Sequence, residues 1–168
     1  MPIPIATLES ASLRASLAKS ATLEEVRLGV PSVFLCHSHK DSEAVRGLIT
    51  LFSEHGWRVY VDWQDTKMPE EPDRDTARRI QKKIETLQYF IFLATENSVG
   101  SRWCPWEIGF ADKAKSSDSI LIVPTTDRTG KWHGNEYLQL YRKIDLNENN
   151  RLTVWHPGEM RGVALTNL

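Results

Sequence analysis

Long apolar runs are missing from this sequence. No stretch approaches the roughly 20 apolar residues that a membrane-crossing helix needs, so no membrane partner is expected. An excess of one charge is missing too. The formal net charge is −1 and no Lys/Arg stripe runs along the chain, which removes the electrostatic footprint of a nucleic-acid binder. Cysteine is scarce: Cys36 and Cys104 stand far apart and share no spacing with other ligand types. They read as reduced, buried thiols of a cytoplasmic protein, with neither a structural disulfide nor a zinc site expected. His37 and His39 are two apart with no third ligand nearby in sequence, so no metal is expected. Neither G-x-G-x-x-G nor G-x-x-x-x-G-K occurs, and G-x-S-x-G is absent, which removes the usual dinucleotide cradle, the P-loop and the hydrolase elbow. A receiver domain would need an acidic pair after its first strand and an aspartate ending its third; His37-Ser38 and Thr95 stand there instead.

What remains reads as one globular domain of 168 residues, with 40% hydrophobic and 26% charged content. Residues 1–30 are rich in Ala, Ser and Leu, with Leu13 and Leu17 four apart, and read as a helical N-terminal extension to a domain over 31–168. The segment lacks the apolar core of a secretory signal, and Glu9, Glu24 and Glu25 argue against a transit peptide. From Val33 the pattern is regular. "VFLC" (33–36) is a strand-type run, and Val45, Leu48, Ile49 and Phe52 then recur at helical spacing until Gly56. "WRVYVDW" (57–63) alternates, placing Trp57, Val59, Val61 and Trp63 on one face. Ala77, Ile80, Ile84 and Leu87 mark another helix, while "YFIFLA" (89–94) and "ILIV" (120–123) are continuous apolar runs, as expected of strands covered on both faces. Strand–helix alternation of this kind predicts a doubly wound, mainly parallel α/β sheet.

In such sheets ligands bind outside the carboxyl ends of the strands. Those ends carry "HSHKD" (37–41), "DWQDTKM" (62–68) and "TENSVGSRW" (95–103), so the unusual polar and aromatic residues collect at one edge. The stretch "SRWCPWE" ends on a carboxylate set among two tryptophans, a cysteine and a proline. With Cys104 as the cap and Pro105 as the first helical residue, Glu107 falls in the first turn, where the helix dipole favours an anion. On a helical projection it lies between Trp103 and Phe110. Two readings are open at this point: a capping glutamate beside core tryptophans, or a carboxylate walled by indoles that stabilises a cation formed beside it.

Three boxes together resemble the TIR (Toll/interleukin-1 receptor) domain in its bacterial, stand-alone form. "VFLCHSHKD" is similar to the first-strand box, "GWRVYVDW" to the second strand, and "SRWCPWE" to the S-x-W-C-x-x-E signature of NAD-cleaving members, in the family's order from residue 32 to about 126. The resemblance implies a flavodoxin-like, five-stranded sheet. It also implies that Glu107 is catalytic and that Trp103 helps wall a nicotinamide-ribose pocket. His37, Ser38 and Asp41 match the family's first-strand loop, and Trp63 follows the second strand with Asp62 beside it. Each has a plainer role to weigh: a helix cap for Asp41, a strand end for Asp62, edge packing for Trp63. Ser98 and Ser101 read as loop and cap residues. Cys36 stands where serine is usual.

By the same resemblance NAD+ is the substrate, no separate cofactor is needed, and the product is ADP-ribose or a cyclic or conjugated form of it. Proteins of this sort resemble the signal-producing component of Thoeris-type antiphage defence, in which a downstream effector senses the nucleotide. TIR–TIR self-association is expected as well. The loop "QDTKMPEEPD" carries Glu70, Glu71 and Asp73 and faces the choice of lying solvated or meeting a basic surface such as Arg78, Arg79, Lys82 and Lys83 of a second copy. It lacks the glycine usual at this place in the family. Two rival readings remain: a non-enzymatic adaptor acting by assembly, and a nucleoside deoxyribosyltransferase-like enzyme on a related sheet.

Overall fold

A computed structural model describes residues 1–14, 29–64 and 73–168. In chain order the strands are β1 (Ile3–Pro4), β2 (Ser32–Cys36), β3 (Arg58–Tyr60), β4 (Tyr89–Ala94), β5 (Ile120–Thr126), β6 (Trp132–His133), β7 (Arg142–Leu146), β8 (Leu152–Trp155) and β9 (Val163–Ala164). The helices are α1 (Ile5–Ser12), α2 (Ser42–Glu54), α3 (Arg74–Thr86), α4 (Glu96–Val99) and α5 (Cys104–Ala114). Strands β3-β2-β4-β5-β7 lie in that order and are mutually parallel, which is the flavodoxin-like arrangement.

Alternate residues of each strand feed opposite cores. Val33, Leu35, Ile91, Leu93, Leu121 and Val123 meet Val45, Leu48 and Phe52 of α2 on one face. Phe34, Cys36, Phe90, Phe92 and Ile122 meet Ile80 and Ile84 of α3 and Ile108 and Ala111 of α5 on the other. Each such aliphatic side chain contributes about 1.5–3 kcal/mol on burial, so covering both faces explains why the central strands read as unbroken apolar runs. Helix α2 ends at Gly56, whose φ of 81° is cheap only for glycine. Helix α3 opens with a capping box in which Asp73 and Thr76 satisfy each other's backbone N–H groups.

One expectation is enlarged. The sheet does not stop at five strands: antiparallel β8 and β9 extend it beyond β7, and β1 and β6 both pair with the end of β5. The described part of the N-terminal segment includes the helix Ile5–Ser12 and packs on the domain. Ile3 pairs beside Thr125, Met1 exchanges two backbone hydrogen bonds with Leu146, and Ile3 and Leu8 are fully buried. Helix α1 lies on α2 so closely that a Cβ on Gly47 would sit 1.8 Å from the Leu8 carbonyl oxygen. An amphipathic segment beside a finished sheet finds its apolar partner there, which composition alone does not show. Leu13 stands exposed, while Leu17, Glu24 and Glu25 fall outside the described residues, as do Glu70 and Glu71 of the acidic loop.

Candidate active site

The strand order reverses between β2 and β4, and the site is built at this switch point. The register of β2 on β3, with Val33 beside Val59 and Phe34 beside Tyr60, carries both strand ends out together. His37–His39 therefore emerge next to Asp62 and Trp63. The Trp63 ring meets His37 edge-on, with centroids 4.6 Å apart. Ser38 accepts from the Lys40 N–H and caps the short turn that leads to α2.

Helix α5 brings Glu107 in from above. Trp103, not Cys104, is the flanking residue at its start, and Cys104 and Pro105 form the first helical positions, one residue earlier than expected. The Ser101 hydroxyl accepts from the Trp103 and Cys104 N–H groups and so supplies the cap. Glu107 is thereby freed from capping. Its backbone N–H bonds the Trp103 carbonyl, and its side chain lies on the buried stripe Cys104, Glu107, Ile108, Ala111. The expected flanks, Trp103 and Phe110, are only half-buried, and Trp106 lies between them at the surface, edge-on to Trp103 and stacked on Phe110.

The carboxyl group pays for its position in proton affinity. Burial pushes the Glu107 pKa from an ordinary 4.5 to about 7; the Cys36 thiol, hydrogen-bonded to the carboxylate, pulls it down, Asp62 raises it and His39 lowers it. Burial first, and then the Cys104 and Glu107 neighbours, push Cys36 well up, so it stays a neutral donor. The Cys104 thiol contacts the His37 carbonyl at 3.3 Å, tying α5 to the β2 end. No Lys or Arg pairs with Glu107 among the described residues. Burial also lowers the pKa of His37, outweighing the Asp62 charge beside it.

Asp41 holds the N-cap position of α2, as expected, but its side chain makes no cap hydrogen bond. Thr95 Oγ1 and Asn97 Nδ2 donate to its two oxygens, so it clasps the β2 and β4 loops together. Ser98 completes a capping box with Thr95 and donates to the Leu93 carbonyl. Three participants were not singled out as site residues from the sequence: Cys36 as a donor, His39 beside Asp62, and Asn97. For Cys36 the signal was present, because alternate residues of β2 share a face and Cys36 closes that face at the strand end.

A separate cavity of about 470 Å³ opens at the ends of β4, β5 and β7, lined by Ala94, Ile122, Pro124, Trp132, Tyr141 and Asp145 among others. Its buried carboxylate, Asp145, faces Lys143 Nζ at 3.2 Å and the terminal ammonium at 3.3 Å. Those ion contacts matter more than the absence of ideal hydrogen bonds at its oxygens. Asp145 is thus a neutralised charge, whereas among the described residues no basic side chain pairs with Glu107 at the switch point.

A family model described as the TIR domain matches residues 33–154, spanning both the sheet and α5. The chain belongs to the TIR domain family. A relative from Bacillus cereus (strain MSX-D12), named as a probable 3′ cyclic ADP-D-ribose synthase ThsB′, is 33% identical over 65% of this chain and 58% of its own length. Another from Cytobacillus dafuensis, provisionally named a cyclic ADP-D-ribose synthase TIR2, is 31% identical over 61% of this TIR chain and 31% of its own. The chain thus spans less than two thirds of either relative. The described residues contain no helix long and apolar enough to cross a membrane.

Proposed function

We propose that this TIR protein consumes NAD+ by breaking the bond between nicotinamide and ribose, and closes the ribosyl fragment into a cyclic ADP-ribose used as a signal in bacterial antiphage defence. The observation that carries the reading is Glu107, buried at the switch point, released from capping by Ser101 and, among the described residues, unmatched by a basic one. The names of the two relatives support cyclisation rather than simple hydrolysis. The adaptor alternative gives Glu107 nothing to do, since its capping role is already filled.

The chemistry needs little more than this carboxylate. The bonding pair leaves with the nicotinamide nitrogen, turning a pyridinium into a neutral molecule, so no acid has to protonate the leaving group. An oxocarbenium-like ribosyl cation remains, and an ionised Glu107 stabilises it across a short gap. A hydroxyl of the same nucleotide that then attacks the ribosyl carbon must lose its proton, and a carboxylate with a pKa near 7 is suited to take it. Water in place of that hydroxyl gives ADP-ribose. Trp63 with His37, and Trp103 on the α5 side, wall the nicotinamide-ribose portion, and Asp41 fixes the loops that carry them. Self-association and an effector that reads the product belong to the same proposal.

Purified protein incubated with NAD+ should release nicotinamide, and Glu107→Gln should lower the rate roughly 10²-fold or more while the circular dichroism spectrum is kept. Near wild-type turnover in that variant overturns the assignment. Trp103→Phe retains most of the packing, so its activity should fall with a nearly unchanged melting temperature; full activity in a stable Phe variant removes Trp103 from the site.

A further inference from the structure

Beside Glu107 lies a second constellation that NAD+ cleavage does not require. His37 Nδ1 is 2.9 Å from the Leu35 carbonyl oxygen, and because a carbonyl only accepts, this nitrogen carries the proton. The other nitrogen, Nε2, is left with a bare lone pair. Its side chain is only 2% exposed, and Nε2 has no hydrogen-bond partner among the described residues. It points instead at Asp62 Oδ1, 3.6 Å away, which is too long for a hydrogen bond. Two lone pairs facing each other repel unless a cation lies between them. His39 Nε2 stands 3.0 Å from the other oxygen of the same carboxylate, and the three donor atoms lie within 4.8 Å of one another.

We propose that His37, His39 and Asp62 bind a divalent cation of the zinc class. Two imidazoles and a carboxylate form a borderline N/O donor set that leaves a coordination position open. With metal–ligand distances of about 2.0–2.1 Å, tetrahedral donors stand roughly 3.3 Å apart, and each histidine is already near that separation from its own oxygen of the Asp62 carboxylate, His37 from Oδ1 and His39 from Oδ2. The remaining gap closes by rotation of His39, which is exposed. The Leu35 carbonyl supplies the outer contact that fixes the tautomer and aim of a ligating histidine. Trp63 against the His37 ring limits its swing. The third ligand missing from the H-x-H spacing is delivered across the β2–β3 pairing. The site also adjoins the catalytic cleft, since Asp62 and His39 both act electrostatically on Glu107.

The test uses untagged full-length protein and Co²⁺ as a visible probe. Titration should produce d–d absorption that saturates at one equivalent and is abolished by one equivalent of Zn²⁺. His39→Ala removes an exposed side chain and should weaken Co²⁺ at least tenfold with the fold kept by circular dichroism. Asp62→Asn keeps the shape of the carboxylate and should weaken it as well. Absence of saturable absorption, or a Co²⁺ affinity in both variants that matches the parent's, overturns the proposal. So does a strong thiolate charge-transfer band, which would assign the metal to Cys36 or Cys104.

Discussion

Glu107 has an ordinary pKa of 4.5 in the unfolded chain and about 7 in the fold, and the difference sets two pH dependences. Below pH 4.5 both states hold the proton and the residue is neutral to stability. Between 4.5 and 7 the unfolded chain releases it first, so stability falls as pH rises, and above 7 the full penalty of about 3 kcal/mol stands. Glu107→Gln should therefore be more stable than the parent at pH 8 by up to that amount and no more stable at pH 4, as read from denaturant melts. An equal gap at both pH values rules out this origin. Catalysis runs the other way, because only the ionised form stabilises a cation: kcat/KM should rise with pH through an apparent value near 7. Cys36 tunes that midpoint. A thiol is a weak donor, so Cys36→Ser offers the carboxylate a stronger hydrogen bond and should move the midpoint of the profile to lower pH. An unmoved profile in a folded, active serine variant separates Cys36 from the carboxylate.

Gly47 decides how the elements α1 and α2 can meet. An added methyl there collides with the Leu8 backbone, which cannot yield as a side chain tip would, so Gly47→Ala should cost about 1–3 kcal/mol despite the better helix propensity of alanine. Hydrogen exchange should show α1 losing protection before β4 does; unchanged protection of 5–12 disproves the contact. The same crossing explains what could be read in advance. The helical repeat of Val45, Leu48, Ile49 and Phe52, and the apolar runs at 89–94 and 120–123, carry their period within a few residues, and α2, β4 and β5 follow them. β1 has two residues and β9 two, too few to show a period, and their pairing depends on partners far along the chain. The place of Glu107 in the first turn of α5 was legible because its box is local. The meeting of His39 with Asp62, by contrast, depends on strand register, and the engagement of Asp41 by Thr95 and Asn97 on how two loops fall together.

Across the whole molecule, charge is nearly balanced, so the proposed assembly rests on patches rather than on net attraction. Asp73 is committed to capping α3, Arg78 pairs with Asp75, and Lys83 lies over the Tyr60 ring at 4.4 Å. The loop's Glu70 and Glu71 lie outside the described residues, and their expected role against a neighbour's α3 is open to a direct test. Changing both, Glu70→Lys with Glu71→Lys, should lower the assembled mass by light scattering together with specific activity, and raised salt should mimic the change. A variant that stays monomeric at every concentration and yet works normally denies the loop a switching role. The insertion of β1 has a different consequence, in the time domain. Ile3 pairs with Thr125 and Met1 with Leu146, so residues synthesised early wait for partners synthesised more than a hundred positions later. Closing such long loops precedes any gain from the contacts they make, which slows folding. A chain halted before β5 and β7 emerge holds α2 with its Gly47 groove uncovered, and a nascent-chain protease assay should find that groove open until the last strands arrive.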